Sequence, residues 1–330
     1  MHRYLPSAAA LALAACFAPA CLAAYTATAD VNATALGRVL VGDRDQVVQG
    51  SSDLDHDSVQ TGSANASTGT GVHAQQDSAD AGGGSSAWAQ VAAGAIHLQA
   101  SAVGSALFLT PGDSFARIIG RSNAFAGGSF SDGVTFSVAG LAQGTPLVLT
   151  FSVDVTGSLA SIGNFAAGVS GYSTITDMRW HVELGDLSDG RSESVQDANG
   201  DIIRNAPATG VWTFVSTVGN GVATVLKMDA SIGAAAQGGI NCGACGLSTL
   251  YAEGQSDADF SHTFAWNGIQ GVTDGFGHTL DLAELQVVSS SGFDYLAGSA
   301  APVPEASTSV LLAVGLLALL LHRRQPRTAG

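Results

Sequence analysis

Three carboxylates at alternate positions, in Asp53-Leu-Asp-His-Asp57, have the spacing most suggestive of chemistry in this chain. Alternate residues of an extended strand project to one side. Asp53, Asp55 and Asp57 could therefore aim oxygens at one hard cation such as Ca²⁺. Neither a glycine turn nor a closing bidentate acid follows, as a twelve-residue Ca²⁺ loop requires, and a solvated acidic loop is the favoured reading. Asp197-Ala-Asn-Gly-Asp201 offers a second oxygen set from Asp197, Asn199 and Asp201. Its Asn-Gly centre is also the preferred core of a type I′ hairpin, flanked by Ser-Val-Gln and Ile-Ile-Arg as strands. The hairpin is favoured, and no cofactor is required by either segment.

Other chemistry-bearing residues are scattered. Glu183 with Asp186, or Asp281 with Glu284, could act as the paired acids of a glycosidase, although such pairs arise by chance in a chain this acidic. His56, His73, His97, His181, His262 and His278 form no short-spaced ligand pair, and His181 and His262 read as structural. There is no Gly-x-Ser-x-Gly elbow, His-Glu-x-x-His or phosphate loop. Trp180, Trp212 and Trp266 could stack on sugars. Trp212 reads as core, whereas Trp266-Asn-Gly268 reads as a turn and makes Trp266 the candidate ligand-binding aromatic. Cys242 and Cys245, in a glycine-rich stretch with no second Cys pair, read as a local disulfide pinning a loop.

The elements carrying these residues are short alternating strands. Phe130, Val134, Phe136 and Val138 alternate with small polar residues, as do Leu147, Leu149, Phe151, Val153 and Val155. Similar runs occur at 180–184, 211–215, 223–228, 260–266 and 280–288. Asp132-Gly, Asn199-Gly and Asn220-Gly read as turns between them. With no amphipathic helix of useful length, the pattern predicts an all-β fold, an antiparallel sandwich of jelly-roll-like type over 106–300. Residues 24–105 read as a partly ordered Ala/Gly/Ser/Asp-rich leader, and within it 51–86 has too few large apolar side chains to bury much surface. The formal net charge is −15. All four terminal Lys and Arg residues, Arg3, Arg323, Arg324 and Arg327, fall outside this body, so the body is more acidic still. Such a charge argues against nucleic acid as a partner.

The two ends read as address labels. Residues 1–23 combine a weakly basic start, an apolar run from Leu5 to Ala15 and a small-x-small site at Cys21-Leu-Ala23, the layout of a secretory signal peptide. Leu13-Ala-Ala-Cys16 is a competing lipobox that would make Cys16 a lipidated terminus. Residues 301–330 hold Val303-Pro304-Glu305-Ala306-Ser307, an apolar stretch at 309–321, and Arg323-Arg324. As a helix 309–321 spans about 20 Å, short for a hydrocarbon core of ~30 Å, and the arginines would stay on the cytoplasmic side. A plain tail anchor that is never cut fits the same physics.

This tail resembles the PEP-CTERM sorting signal of Gram-negative bacteria, with Ala306 in place of the usual second proline. The middle of the chain, from Phe130-Ser-Asp-Gly-Val-Thr-Phe136 to Gly292-Phe-Asp-Tyr295, is similar to such proteins in cadence only. The resemblance implies recognition by an exosortase at the inner membrane, then delivery to the cell surface or a biofilm matrix rich in exopolysaccharide. It implies no catalytic residue. The expected function is a non-catalytic surface or matrix protein; the alternative is a carbohydrate-active hydrolase or lyase on the same scaffold.

Overall fold

The computed structural model describes residues 24–51, 54–76, 78–109, 115–166, 168, 170–205, 207–243 and 249–298. They form strands β1 (Thr26–Val41), β2 (Arg44–Ser51), β3 (Asp55–Val59), β4 (Ala64–Gln76), β5 (Ala79–Ala92), β6 (Ala95–Phe108), β7 (Ala116–Val138) and β8 (Pro146–Phe165). Then follow β9 (Ser170–Leu184), β10 (Leu187–Ala198), β11 (Asp201–Arg204), β12 (Gly210–Gly219), β13 (Val222–Cys242), β14 (Leu250–Asp274), β15 (Thr279–Leu280) and β16 (Leu285–Ser289). Sheet A runs β11-β10-β9-β13-β7-β1-β2, with β16 also on β7 and β3 also on β1. Sheet B runs β12-β8-β14-β6-β5-β4, with β15 on β14. All pairings are antiparallel, and the two sheets pack face to face as the expected sandwich. After β6 the chain changes sheet at β6/β7, β7/β8, β8/β9, β11/β12, β12/β13, β13/β14 and β15/β16.

The expected boundary near residue 105 does not match the strand pairing. β1 is an interior strand of sheet A, paired along its length with β7, and β6 is interior to sheet B between β5 and β14. The segment read as a leader therefore contributes β1–β6, and Ala27, Val31, Ile96 and Leu98 share one core with Phe151 and Trp266. The Asp132-Gly133 turn is also absent, since β7 runs straight through it. Asn199-Gly200 and Asn220-Gly221 do turn the chain, with φ of 54° at Asn199 and 62° at Gly221. The expected strand at 280–288 is split by a 3-10 turn at Leu282–Glu284, where the Asp281 carboxylate accepts from the Ala283 amide.

The segment folds because its small residues are in register. Sheet A carries a transverse row Gly37–Gly120–Gly238–Tyr172, and sheet B a facing row Gly83–Gly104–Gly254–Gly163. A Cβ added at Gly104 would lie 2.5 Å from Gly120 O, and one at Gly238 would lie 2.8 Å from Gly104 O. Backbone thus meets backbone, well inside the ~10 Å that separates sheets with side chains between them. Where the sheet A row ends in Tyr172 instead of glycine, its ring occupies the space over Gly163.

One row along, Ala35–Ser122–Ala236–Thr174 faces Ser85–Ala102–Ser256–Ser161. Its serines donate across to the opposite sheet. Ser122 Oγ reaches Gly84 O at 2.7 Å, Ser85 Oγ reaches Thr34 O at 3.0 Å and Ser256 Oγ reaches Ile175 O at 2.6 Å. Burying these hydroxyls is tolerable only because each finds an acceptor. This waist separates the main core from a smaller cluster around Val39, Phe108, Ile118 and Ile240.

At the other end, residues 290–298 strap over the main core. Asp132 is fully buried, and its carboxylate accepts from Tyr295 OH at 2.8 Å, from the Ser291 amide at 3.1 Å and from the Ser291 hydroxyl. Burial, then the Asp132 charge, pushes Tyr25 up to about 12, and the same causes raise Tyr295. Both tyrosines therefore keep their protons in the fold at a pH where the unfolded chain loses them. Stability is whole below about pH 10 and is expected to fall toward about pH 12, by about 1.4 kcal/mol per pH unit per tyrosine. Asp132→Asn should cost about 1–3 kcal/mol, because an amide cannot accept from all these donors. It should also make the alkaline loss shallower, by removing the charge that opposes tyrosinate. Urea midpoints of both proteins measured at neutral and alkaline pH check both effects; parallel alkaline losses would refute the Asp132 contribution.

Candidate functional site

The expected ligand residues mostly serve the fold. Trp266 is a core residue, 0 % exposed, stacked on Phe151 at 4.4 Å and donating Nε1–H to Tyr295 O at 2.8 Å. It does not lie in a turn. β14 continues through it with register irregularities on either side of Ile269, and Gly268 (φ +84°) supplies the positive-φ residue there. That local irregularity resembles a turn in sequence.

The acidic sets are likewise internally committed. Asp55 Oδ2 accepts from the Ser67 amide and Asp57 Oδ2 from the Asn65 amide, both at 2.8 Å, so these alternate carboxylates clip β3 of one sheet to β4 of the other. Their one-sided projection is as the spacing requires, but backbone amides take the oxygens meant for a cation. Asp53 lies outside the described residues. Asp197 is buried and accepts from Tyr172 OH at 2.9 Å and Gly200 N at 3.0 Å, while Asn199 Oδ1 accepts from Tyr172 N at 2.8 Å. Asp201 opens β11 on the exposed side of the hairpin. Among the described residues no cluster of three or more His, Cys, Asp or Glu side chains could hold a metal ion.

Asp186 accepts from the Thr217 amide and the Ser216 hydroxyl, bonds that hold its carboxyl below the usual range and direct it toward β12 instead of toward Glu183. Cys242 is disulfide-bonded, and Cys245 lies outside the described residues, as does the sorting motif Val303, Pro304, Glu305, Ala306, Arg323 and Arg324.

The structure does bring together a group that spacing alone conceals. On the outer face of sheet A, His181 of β9 is paired with Gly190 of β10 on one side and Asp229 of β13 on the other. His181 Nδ1 lies 3.2 Å from Asp229 Oδ2 and 3.6 Å from Glu183 Oε1; its Nε2 lies 3.0 Å from Ser188 Oγ. With the ring proton on Nδ1, facing Asp229, Nε2 accepts from the Ser188 hydroxyl. Gly190 makes this reach feasible, since a Cβ there would stand 3.2 Å from His181 Cδ2. The missing side chain also hollows a depression of about 460 Å³ lined by Arg179, His181, Arg191, Ser192, Asp229 and Ser231. Arg191 is held over the Trp212 ring, 4.6 Å from its centroid. The His181 side chain is 30 % exposed, so the line is open to solvent.

No sequence motif marks this arrangement. Ser188, His181 and Asp229 come from three strands, and pairing β9 with both β10 and β13 is what aligns them. The chain matches no family model, no curated protein and no solved structure.

Proposed function

We propose that the chain is an exported β-sandwich that acts as a surface or extracellular-matrix component, handed over at the inner membrane of a Gram-negative bacterium by an exosortase and resident in an exopolysaccharide-rich layer. The observation that supports this reading is where the described strands begin and end relative to the two expected processing points. The first strand begins at Thr26, immediately after the expected cut behind Ala23, and Tyr25 is already docked in the core with its hydroxyl on Gly62 O. The strap over the core ends by Gly298, just before Val303-Pro304-Glu305. Both expected processing points thus lie outside the described strands, and removing either end would take away none of them.

The scaffold itself suits a load-bearing, displayed role. β7 has 23 residues and β14 has 25, which at ~3.3 Å per residue makes strands of about 75–83 Å, zipped across the waist by backbone contacts. Its outer faces present hydroxyl, amide and carboxylate side chains, the groups that hydrogen-bond polysaccharide. Among the described residues no helix is long and apolar enough to cross a membrane.

The test is the intact mass and terminal peptides of the protein from separated inner-membrane, surface and culture fractions. The expected species begins at Ala24 and ends near Pro304, lies outside the inner membrane, and disappears when the exosortase is deleted. A species that keeps Arg327 and stays in the inner membrane would overturn the proposal.

A further inference from the structure

We propose that Ser188 is a reactive nucleophile, activated by His181 and Asp229, that takes an acyl group from small esters entering the depression over Gly190. This goes beyond the scaffold reading and is independent of how the chain is exported. Three observations on the outer face of sheet A carry it. The Ser188 Oγ–His181 Nε2 distance of 3.0 Å and the His181 Nδ1–Asp229 Oδ2 distance of 3.2 Å make a continuous hydroxyl–imidazole–carboxylate line. That ordering is the one in which an imidazole can remove a hydroxyl proton while the carboxylate stabilises the cation formed. The depression of about 460 Å³, large enough for a small acyl group, is walled by His181 and Asp229, with Ser188 one hydrogen bond away from that wall. Arg179, in the wall of the same depression, adds positive charge to it.

The step balances without an outside reagent. Ser188 Oγ bonds to the ester carbonyl carbon as its proton passes to His181 Nε2, and the carbon–oxygen bond to the leaving alcohol breaks. The departing alkoxide takes the proton from His181. Water then adds to the acyl-serine by the same relay, releasing the carboxylic acid and restoring the hydroxyl. The ligand class follows from the site: a small, uncharged or anionic ester, the shallow open depression giving no grip on a long chain. The other surface histidine–carboxylate pairs, His56 with Asp30, His73 with Asp80 and His278 with Asp274, show no bond from the second ring nitrogen to a hydroxyl, which singles out His181 among the described pairs.

The experiment treats the folded, signal-free protein with a fluorophosphonate probe and, separately, with p-nitrophenyl acetate, and maps the modified peptide by mass spectrometry. The expected result is one adduct, on Ser188, with p-nitrophenolate release by the wild-type protein. Ser188→Ala should abolish the adduct. His181→Gln should slow it by about 100-fold or more, and Asp229→Asn should slow it less. Because these side chains lie on the outer face, unchanged melting curves are expected for all three variants and establish that the fold is intact. Labelling spread over many serines, labelling that survives His181→Gln, or no adduct at Ser188 in the folded wild type would each overturn the proposal.

Discussion

Gly120→Val is expected to prevent the two sheets from closing, giving an insoluble or non-cooperatively melting protein. The glycine sits in the centre of the sheet A row, and a Cβ there would overlap the carbonyl oxygens of both Gly82 and Ser105 in the facing sheet. These atoms belong to interior strands hydrogen-bonded on both sides, so they cannot rotate away as a side chain would. Overpacking a core ordinarily costs 1–3 kcal/mol through side-chain adjustment. Here the adjustment must be made by backbone, and a cost above about 5 kcal/mol would consume the whole margin of a typical domain. Gly71→Ala is the matched control. Its Cβ would meet only Gly83 O at 3.8 Å, an ordinary contact, and the change should stay within about 0.5 kcal/mol. Thermal melts of the two variants decide the matter, and a Gly120→Val melt within a few degrees of the wild type would sink the backbone-to-backbone account.

Trp266→Ala is expected to cost about 4 kcal/mol, the range for emptying a large aromatic site in a core. The indole is stacked on Phe151, meets Tyr295 edge-on at 5.5 Å, and ties β14 to the C-terminal strap through its bond to Tyr295 O. Trp266→Phe should keep part of the stack and lose that hydrogen bond, leaving Tyr295 O unpaired, for a cost of about 1–3 kcal/mol. Denaturant titrations measure both. Retention of saccharide by the folded Trp266→Phe protein should equal that of the wild type, since the ring has no exposed surface; selective loss of retention at unchanged stability would restore Trp266 as a ligand contact.

How far the sequence could be read depended on the size of the inward side chains. In β7 and β8 the inward residues are large: Phe130, Val134 and Phe136, then Leu147, Leu149 and Phe151, all buried. Period-2 alternation is plain there, and the sandwich was legible. In β6 the inward residues after Ile96 and Leu98 are Ala100, Ala102, Gly104 and Ala106, while Val103 and Leu107 face the other way. The alternation is small-in, larger-out, which reads as a loosely packed leader when large apolar residues are the signal. It becomes a core only when a second sheet of equally small residues lies opposite.

The same logic explains the candidate sites. The carboxylates of Asp55 and Asp57 do point one way, as alternate strand residues must, but only the neighbouring sheet edge reveals that amides of β4 take up their oxygens. Asp132 reads as a turn residue in sequence because Asp-Gly is a turn pair by local conformational preference. Its partners, Ser291 and Tyr295, lie more than 150 residues away along the chain, and no local rule could name them.

By itself, then, the sequence determined what short-range physics controls: an acidic, all-β chain, the positive-φ turns at Asn199-Gly200 and Asn220-Gly221, and the large-residue strands of the sandwich. Strand register was decided by the tertiary structure alone, because register depends on which distant strands meet. Register aligns Gly37, Gly120 and Gly238 against Gly83, Gly104 and Gly254, and it sets His181 between Asp229 and Gly190 within reach of Ser188. A shift of one residue would turn every one of those side chains to the opposite face, leaving neither the waist nor the serine line.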